Sequence, residues 1–212
     1  MSGARDEVLG RIRGAIGTPR RPREHDYDTV PRSYRQAGAL DLEARLELLR
    51  SRLEHYDCGC FRCSRDQLAE TIGLALAARG KRRLILPAAL PMEWLPAAFE
   101  FVRDDGLSYG ELDSCDGTVT ACTVGIAQTG SIVLCHDGRE GRRALTLIPD
   151  YHLCIIGADQ VVETVSEALR HPRVAGSALV TTIAGPSATA DIEMTRIKGV
   201  HGPRTLDVVI VD

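Results

Sequence analysis

Residues 182–204 read TIAGPSATADIEMTRIKGVHGPR, and the way they fold decides the class of the protein. An apolar run at 178–183 delivers the chain into Gly185-Pro186-Ser187. A short helical segment follows, then the second turn Gly199-Val200-His201-Gly202-Pro203 and the apolar stretch Leu206–Val211. The pattern predicts a strand–loop–helix–loop–strand unit with its polar groups in the loops. In an open parallel sheet such loops flank the ligand crevice.

On a helix at about 100° per residue, Ala190, Met194 and Ile197 share one face, which would pack on the sheet. Ser187, Asp191 and Lys198 fall on one flank of that stripe. Glu193 falls on the other flank with Thr189, about 200° from Asp191. The two acids are therefore not a paired dyad on one face, and each needs a partner from elsewhere. Gly185, Ser187 and Thr189 offer small side chains, hydroxyls and free amides to an anion. The same hydroxyls also suit plain helix capping, with the acids complementing the dipole. His201, between Val200 and Gly202, adds an imidazole able to bind a carboxylate or move a proton.

Working outward, the second half of the chain alternates short apolar runs with turns. Thr118–Ile126 reads as strand-like or turn-broken, Ser131–Cys135, Arg143–Ile148 and Tyr151–Ile156 as strands, and Val161–Leu169 as a helix with apolar residues at i, i+4 and i+8. In the first half, Leu42, Leu46, Leu49, Leu53 and Tyr56 mark an amphipathic helix. After a CysGlyCysPheArgCys turn at 58–63, Ser64-Arg65-Asp66-Gln67 is a capping box opening a second helix, which Gly80 ends. Residues 83–86 read as a buried strand, and residues 92–101 allow a short helix. This order predicts a three-layer, Rossmann-like α/β sandwich with a mostly parallel sheet. Ahead of it, residues 1–37 form an N-terminal helix and a proline- and arginine-rich linker, leaving 38–212 as the α/β domain. The apolar stripe of that helix is too thin to fold alone, so it needs the domain or a second subunit, and a homo-oligomer stays open.

The chain has 212 residues and a formal charge of −3, which gives no general attraction to nucleic acid or an anionic membrane. No apolar run approaches the roughly 18–20 residues that span a bilayer. Seven cysteines, without the density of a disulfide scaffold, read as reduced cytoplasmic thiols. Cys58, Cys60 and Cys63 have metal-like spacing, but a closed zinc or cubane site wants a fourth ligand, so no metal is assigned. Phosphate-loop, dinucleotide, zinc-protease and esterase motifs are missing, which argues against those four classes.

A further turn, Ala127-Gln128-Thr129-Gly130-Ser131, places small and hydroxyl residues directly before a strand. Its Gln128, Thr129 and Gly130 could hold an anion, or the glycine could serve only the turn. Together, AlaGlnThrGlySer at 127–131, LeuIleProAsp at 147–150, GlyProSerAlaThrAlaAspIleGlu at 185–193 and ValHisGlyProArg at 200–204 resemble the LUD-domain family, over roughly residues 40–212. The resemblance implies a fold similar to the sugar-phosphate isomerase and CoA-transferase group. It also implies a role in oxidising L-lactate to pyruvate beside two partner proteins, whose iron–sulfur centres carry the redox chemistry, with no cofactor in this chain. The family's turn commonly reads Ala-Glu-Thr-Gly. Gln128 lacks that carboxylate, which disfavours a covalent CoA-transferase step.

These readings converge on one pocket for a small anionic metabolite. Gln128, Thr129, Gly130, Gly185, Pro186, Ser187, Thr189 and Gly202 would bind it, while Asp191, Glu193 and His201 would order the polar network or transfer protons. A free-standing enzyme acting on a phosphorylated or CoA-linked substrate, and a non-catalytic sensor or assembly protein, are the rival readings.

Overall fold

The computed structural model describes residues 3–16, 29–186 and 202–212, together with the backbone of 188–189 and 197–198. Two compact units divide it, Met1–Tyr34 and Arg35–Asp212. In the first, Ala4–Ile16 forms helix α1, with Asp6 and Glu7 in the first turn and Arg13 in the last, complementing the helix dipole.

The larger unit is organised on a six-stranded, wholly parallel sheet of order β1-β12-β7-β4-β2-β3. Its strands are β1 (Gly59–Cys63), β2 (Arg83–Leu86), β3 (Glu100–Arg103), β4 (Gly117–Ala121), β7 (Tyr151–Gly157) and β12 (Thr205–Val211). Central β7 and β12 are apolar almost throughout because both of their faces are covered. Tyr151, Leu153, Ile155, Val209 and Val211 pack beneath helix α3 (Leu68–Ala78), with Trp94, Phe99 and Phe101 at the margin. Cys154, Ile156, Leu206, Val208 and Ile210 point the other way, onto Leu46, Leu49 and Leu53 of helix α2 (Leu42–His55).

Both long helices have legible ends. The Asp41 side chain accepts from the Ala44 amide at 2.8 Å and starts α2. Its last turn closes with Cys58 N–H on Leu53 O and Asp57 N–H on Glu54 O, the Schellman arrangement, with Asp57 in the left-handed region. Gly80 does the same for α3, through Lys81 N–H on Leu76 O.

Beside α2 lies a four-stranded mixed sheet of order β8-β5-β6-β9. It is built from β5 (Val124–Ile126), β6 (Ser131–Leu134), β8 (Val161–Val162) and β9 (Thr181–Ala184). Ile132, Leu134 and Val161 join the α2 core, while Val124, Ile126 and Val133 pack on Ala168 and Val174. Those two belong to helices α5 (Val165–Arg170) and α6 (Pro172–Ala175). Short helix α4 (Tyr109–Asp113) covers Ile85 through Leu112, together with Leu145. Helix, parallel sheet, and helix with small sheet make the expected three layers.

Several local expectations change. The CysGlyCysPheArgCys segment is not a turn. It is β1, which hydrogen-bonds along the open side of β12. Alternation then sends Cys58 and Cys60 to the α2 core and Cys63 to the α3 core, so the three thiols do not converge. Among the described residues no group of three or more histidine, cysteine or acidic side chains is placed to hold a metal ion. Arg143–Thr146 is a 3₁₀ turn and not a strand, because Leu145 turns into the core over Ile85. Val161–Val162 is drawn into the small sheet beside Gly125, so the helix begins only at Val165, behind the Thr164–Glu167 capping box. Between Pro91 and Pro96 the chain manages one 3₁₀ turn, Met92–Trp94, and then extends into β3.

The helix predicted after Gly185 is also corrected where the structure describes the chain. Ala188–Thr189 (β10) pairs antiparallel with Ile197–Lys198 (β11), so the backbone is extended at both of these places. The wheel that put Ile197 on a helical face therefore does not apply. Ser187, Asp191, Glu193 and His201 lie outside the described residues. No described helix is long and apolar enough to cross a membrane.

Candidate functional site

The second residues of β7 and β12 are His152 and Leu206, both buried on the face that α2 shares. Above them opens a cleft of about 230 Å³. Arg143 and Thr146 of the 3₁₀ turn form one wall. Thr182, Ala184, Gly185 and Pro186 form the other, and Gly202-Pro203 closes the rim. The cleft thus sits at the amino ends of the central parallel strands, not at the carboxyl ends where the loop pattern had placed a ligand crevice.

Beneath the cleft, strands β4 and β7 carry buried polar side chains. Thr118, Thr120 and His152 are essentially solvent-free. Buried polar groups are costly unless paired, and these are paired. Thr120 Oγ1 lies 2.8 Å from His152 Nε2, and the Thr118 hydroxyl donates to Ile85 O at 3.1 Å. Burial pushes the His152 imidazole down to about 3, with the Arg143 charge acting in the same direction. At neutral pH it is an uncharged ring that can donate at one nitrogen and accept at the other.

Arg143 is the cation of the cleft. It donates to the Thr146 hydroxyl at 2.9 Å, and burial pulls its guanidinium below the ordinary value without neutralising it. Among the described residues no carboxylate pairs with it. A half-buried guanidinium beside threonine hydroxyls, a neutral imidazole and glycine-rich backbone suits a small carboxylate or hydroxy-acid.

Gly185 and Gly202, the glycines of the two quoted turns, are brought together in this cleft with Pro186. Gly185 needs to be glycine twice over, since its φ is +79° and a Cβ there would stand 2.7 Å from Tyr56. The AlaGlnThrGlySer turn is placed differently. Antiparallel pairing of Ser131 with Ala184 sets Gly130 beside the end of β9. Gly130, with φ +62°, is pressed on Arg52 of α2. Gln128 is exposed, with its amide on the Glu163 carbonyl at 3.0 Å. Thr129 meets the Ser131 hydroxyl at 2.8 Å and lines a separate apolar recess with Ile126, Val165 and Leu169. None of Gln128, Thr129 and Gly130 lines the Arg143 cleft.

Sequence reasoning had passed over Arg143, Thr146 and His152. The one available signal was a histidine inside the apolar run TyrHisLeuCysIleIle at 151–156.

The LUD domain model matches residues 105–211, half of the chain, and spans both the Arg143 turn and the Gly185–Gly202 loops. The chain belongs to the LUD-domain family. The LUD-domain protein is 42% identical over 176 residues to lactate utilization protein C of Deinococcus radiodurans, which covers 79% of this chain and 81% of the relative. Lactate utilization protein C of Shouchella clausii is 32% identical over 115 residues, 52% of this chain and 50% of the relative. The crystal structure of a DUF162 family protein from Deinococcus radiodurans superimposes with a TM-score of 0.71 at 37% identity. It covers 82% of the LUD-domain protein and 100% of its own chain.

Proposed function

We propose that this LUD-domain protein supports lactate utilization, as one subunit of a system that oxidises L-lactate to pyruvate. In this reading two further lactate-utilization proteins, among them iron–sulfur proteins, accept the two electrons that the oxidation releases. Similarity to proteins named lactate utilization protein C supports the general role.

The observation that carries the site is Arg143, a cation with no described carboxylate partner, facing the Gly185-Pro186 and Gly202-Pro203 turns across a small cleft. The guanidinium holds the carboxylate of a small anionic metabolite. Thr146, Thr182 and neutral His152 take its hydroxyl or carbonyl. In the same proposal Ser187 and Thr189 complete the binding loop, and Asp191, Glu193 and His201 order the polar network or transfer protons. Because His152 binds a proton only near pH 3, its part is to orient and not to act as a base.

The deciding experiment is growth on L-lactate after deletion of the gene, complemented by wild type, Arg143→Ala and His201→Ala. Loss of growth that wild type restores and Arg143→Ala does not is the expected result. Normal growth without the gene would overturn the lactate assignment. Turnover of a phosphorylated or CoA-linked substrate by the purified chain alone would favour a free-standing enzyme instead.

A further inference from the structure

A second, larger cavity of about 480 Å³ lies at the opposite end of the sheet, over the carboxyl ends of β4, β7 and β12. Its floor is apolar, from Ala121, Ile155 and Val211. Open parallel α/β sheets bind ligands at this end of their strands, and the volume falls within the roughly 300–1,000 Å³ of small-molecule sites. Nothing in the proposed lactate role uses it.

Its polar groups are spread along the groove. At one end Arg65, just past β1, holds its guanidinium 5.7 Å from the ring centroid of Trp94. At the other, Arg139 is tied to β4 by its carbonyl, which accepts from Ala121 N–H at 3.0 Å. Both guanidinia are exposed, and among the described residues neither pairs with a carboxylate. Between them the β7 turn supplies exposed Asp159. The remaining carboxylate, Asp212, is already held by Arg62 at 2.9 Å. Since β1, β12, β7 and β4 are neighbours in that order, the backbone segments that carry the two arginines are about three strand spacings apart, roughly 14 Å.

We infer that this groove binds a nucleoside phosphate. Its base lies against Trp94 and the Arg65 plane, both of which stack with aromatic rings. A ribose hydroxyl donates to Asp159, and the phosphate reaches Arg139 as a charge-assisted acceptor. Each end of the groove answers a different part of such a ligand, and the apolar floor fits neither inorganic phosphate nor a small hydroxy-acid.

Trp94 is the single tryptophan of the chain, so its fluorescence reports on the groove directly. Titrating the purified full chain with AMP, adenosine and inorganic phosphate, with calorimetry in parallel, tests the assignment. AMP should give a saturable change in Trp94 emission, with adenosine and inorganic phosphate each at least tenfold weaker. Arg139→Ala should weaken AMP at least tenfold and leave adenosine unchanged, whereas Arg65→Ala should weaken both. Trp94→Phe should abolish the optical signal while calorimetry still detects AMP. The inference is overturned by no saturable binding of AMP at millimolar concentration, by inorganic phosphate binding as well as AMP, or by both arginine variants binding like wild type. Among the described residues neither guanidinium has a hydrogen-bond or carboxylate partner, and circular dichroism of each variant checks that the fold is kept.

Discussion

His152 Nε2 and Thr120 Oγ1 meet at 2.8 Å, both side chains sealed from solvent beneath the Arg143 cleft. Burial, with the Arg143 charge nearby, keeps the imidazole neutral where an exposed histidine would begin to protonate. An unfolded chain takes up that proton near pH 6.5, while the folded chain resists it to about 3. Stability from this site is therefore full above pH 6.5 and falls as the pH drops through that window, by up to about 1.4 kcal/mol per pH unit. Urea unfolding at a series of pH values should show this slope, and His152→Gln should flatten it by about one proton. An unchanged slope in the variant would show that His152 is charged in the folded state.

Arg143 offers the cleft its charge. Arg143→Ala should leave the far- and near-ultraviolet circular dichroism unchanged and weaken binding of L-lactate to the purified chain at least tenfold, the worth of one charged hydrogen bond. Arg143→Lys should recover only part, because an ammonium lacks the planar fork. Equal affinity in wild type and Arg143→Ala would remove the cleft from the proposal.

Gly130 and Gly185 both press on the last turns of α2, over Arg52 and Tyr56. Gly185→Ala should destabilise by about 2–4 kcal/mol, combining the left-handed penalty with overpacking. Gly130→Ala should cost a similar amount, since its Cβ would stand 2.6 Å from the Arg52 Cβ. Thermal melts decide this, and a change below about 0.5 kcal/mol in either variant would mean the turn relaxes freely.

Asp207 is fully buried and accepts from Arg79 at 2.7 and 3.0 Å, Tyr151 at 2.9 Å and Gly59 N–H at 3.0 Å. It ties α3 and the edge strand β1 to the centre of the sheet. Asp207→Asn should cost about 3–5 kcal/mol, since the amide turns a donor toward donors and leaves the guanidinium uncompensated. Chemical denaturation measures the loss, and near-wild-type stability would show that the network is dispensable.

The amino-acid order alone determined the elements whose period and ends are local. The leucine stripe of α2, the Ser64–Gln67 box, the Gly80 cap and the apolar runs of β2, β7 and β12 all stand where hydrophobic spacing put them, and together they implied the parallel α/β sandwich. The GlyProSer and HisGlyPro turns likewise pointed to Gly185, Pro186 and Gly202, which do share one cleft. Tertiary structure alone decided the rest. A strand such as Gly59–Cys63 exists because β12 offers it an open edge, and Ala188–Thr189 is extended because Ile197–Lys198 pairs with it. Arg143 and His152 are nine residues apart, in a turn and a buried strand, and neither carries a motif. Only the crossing of those elements over the amino ends of β7 and β12 makes them one polar cleft, and pairing between distant strands leaves no periodic mark on either segment.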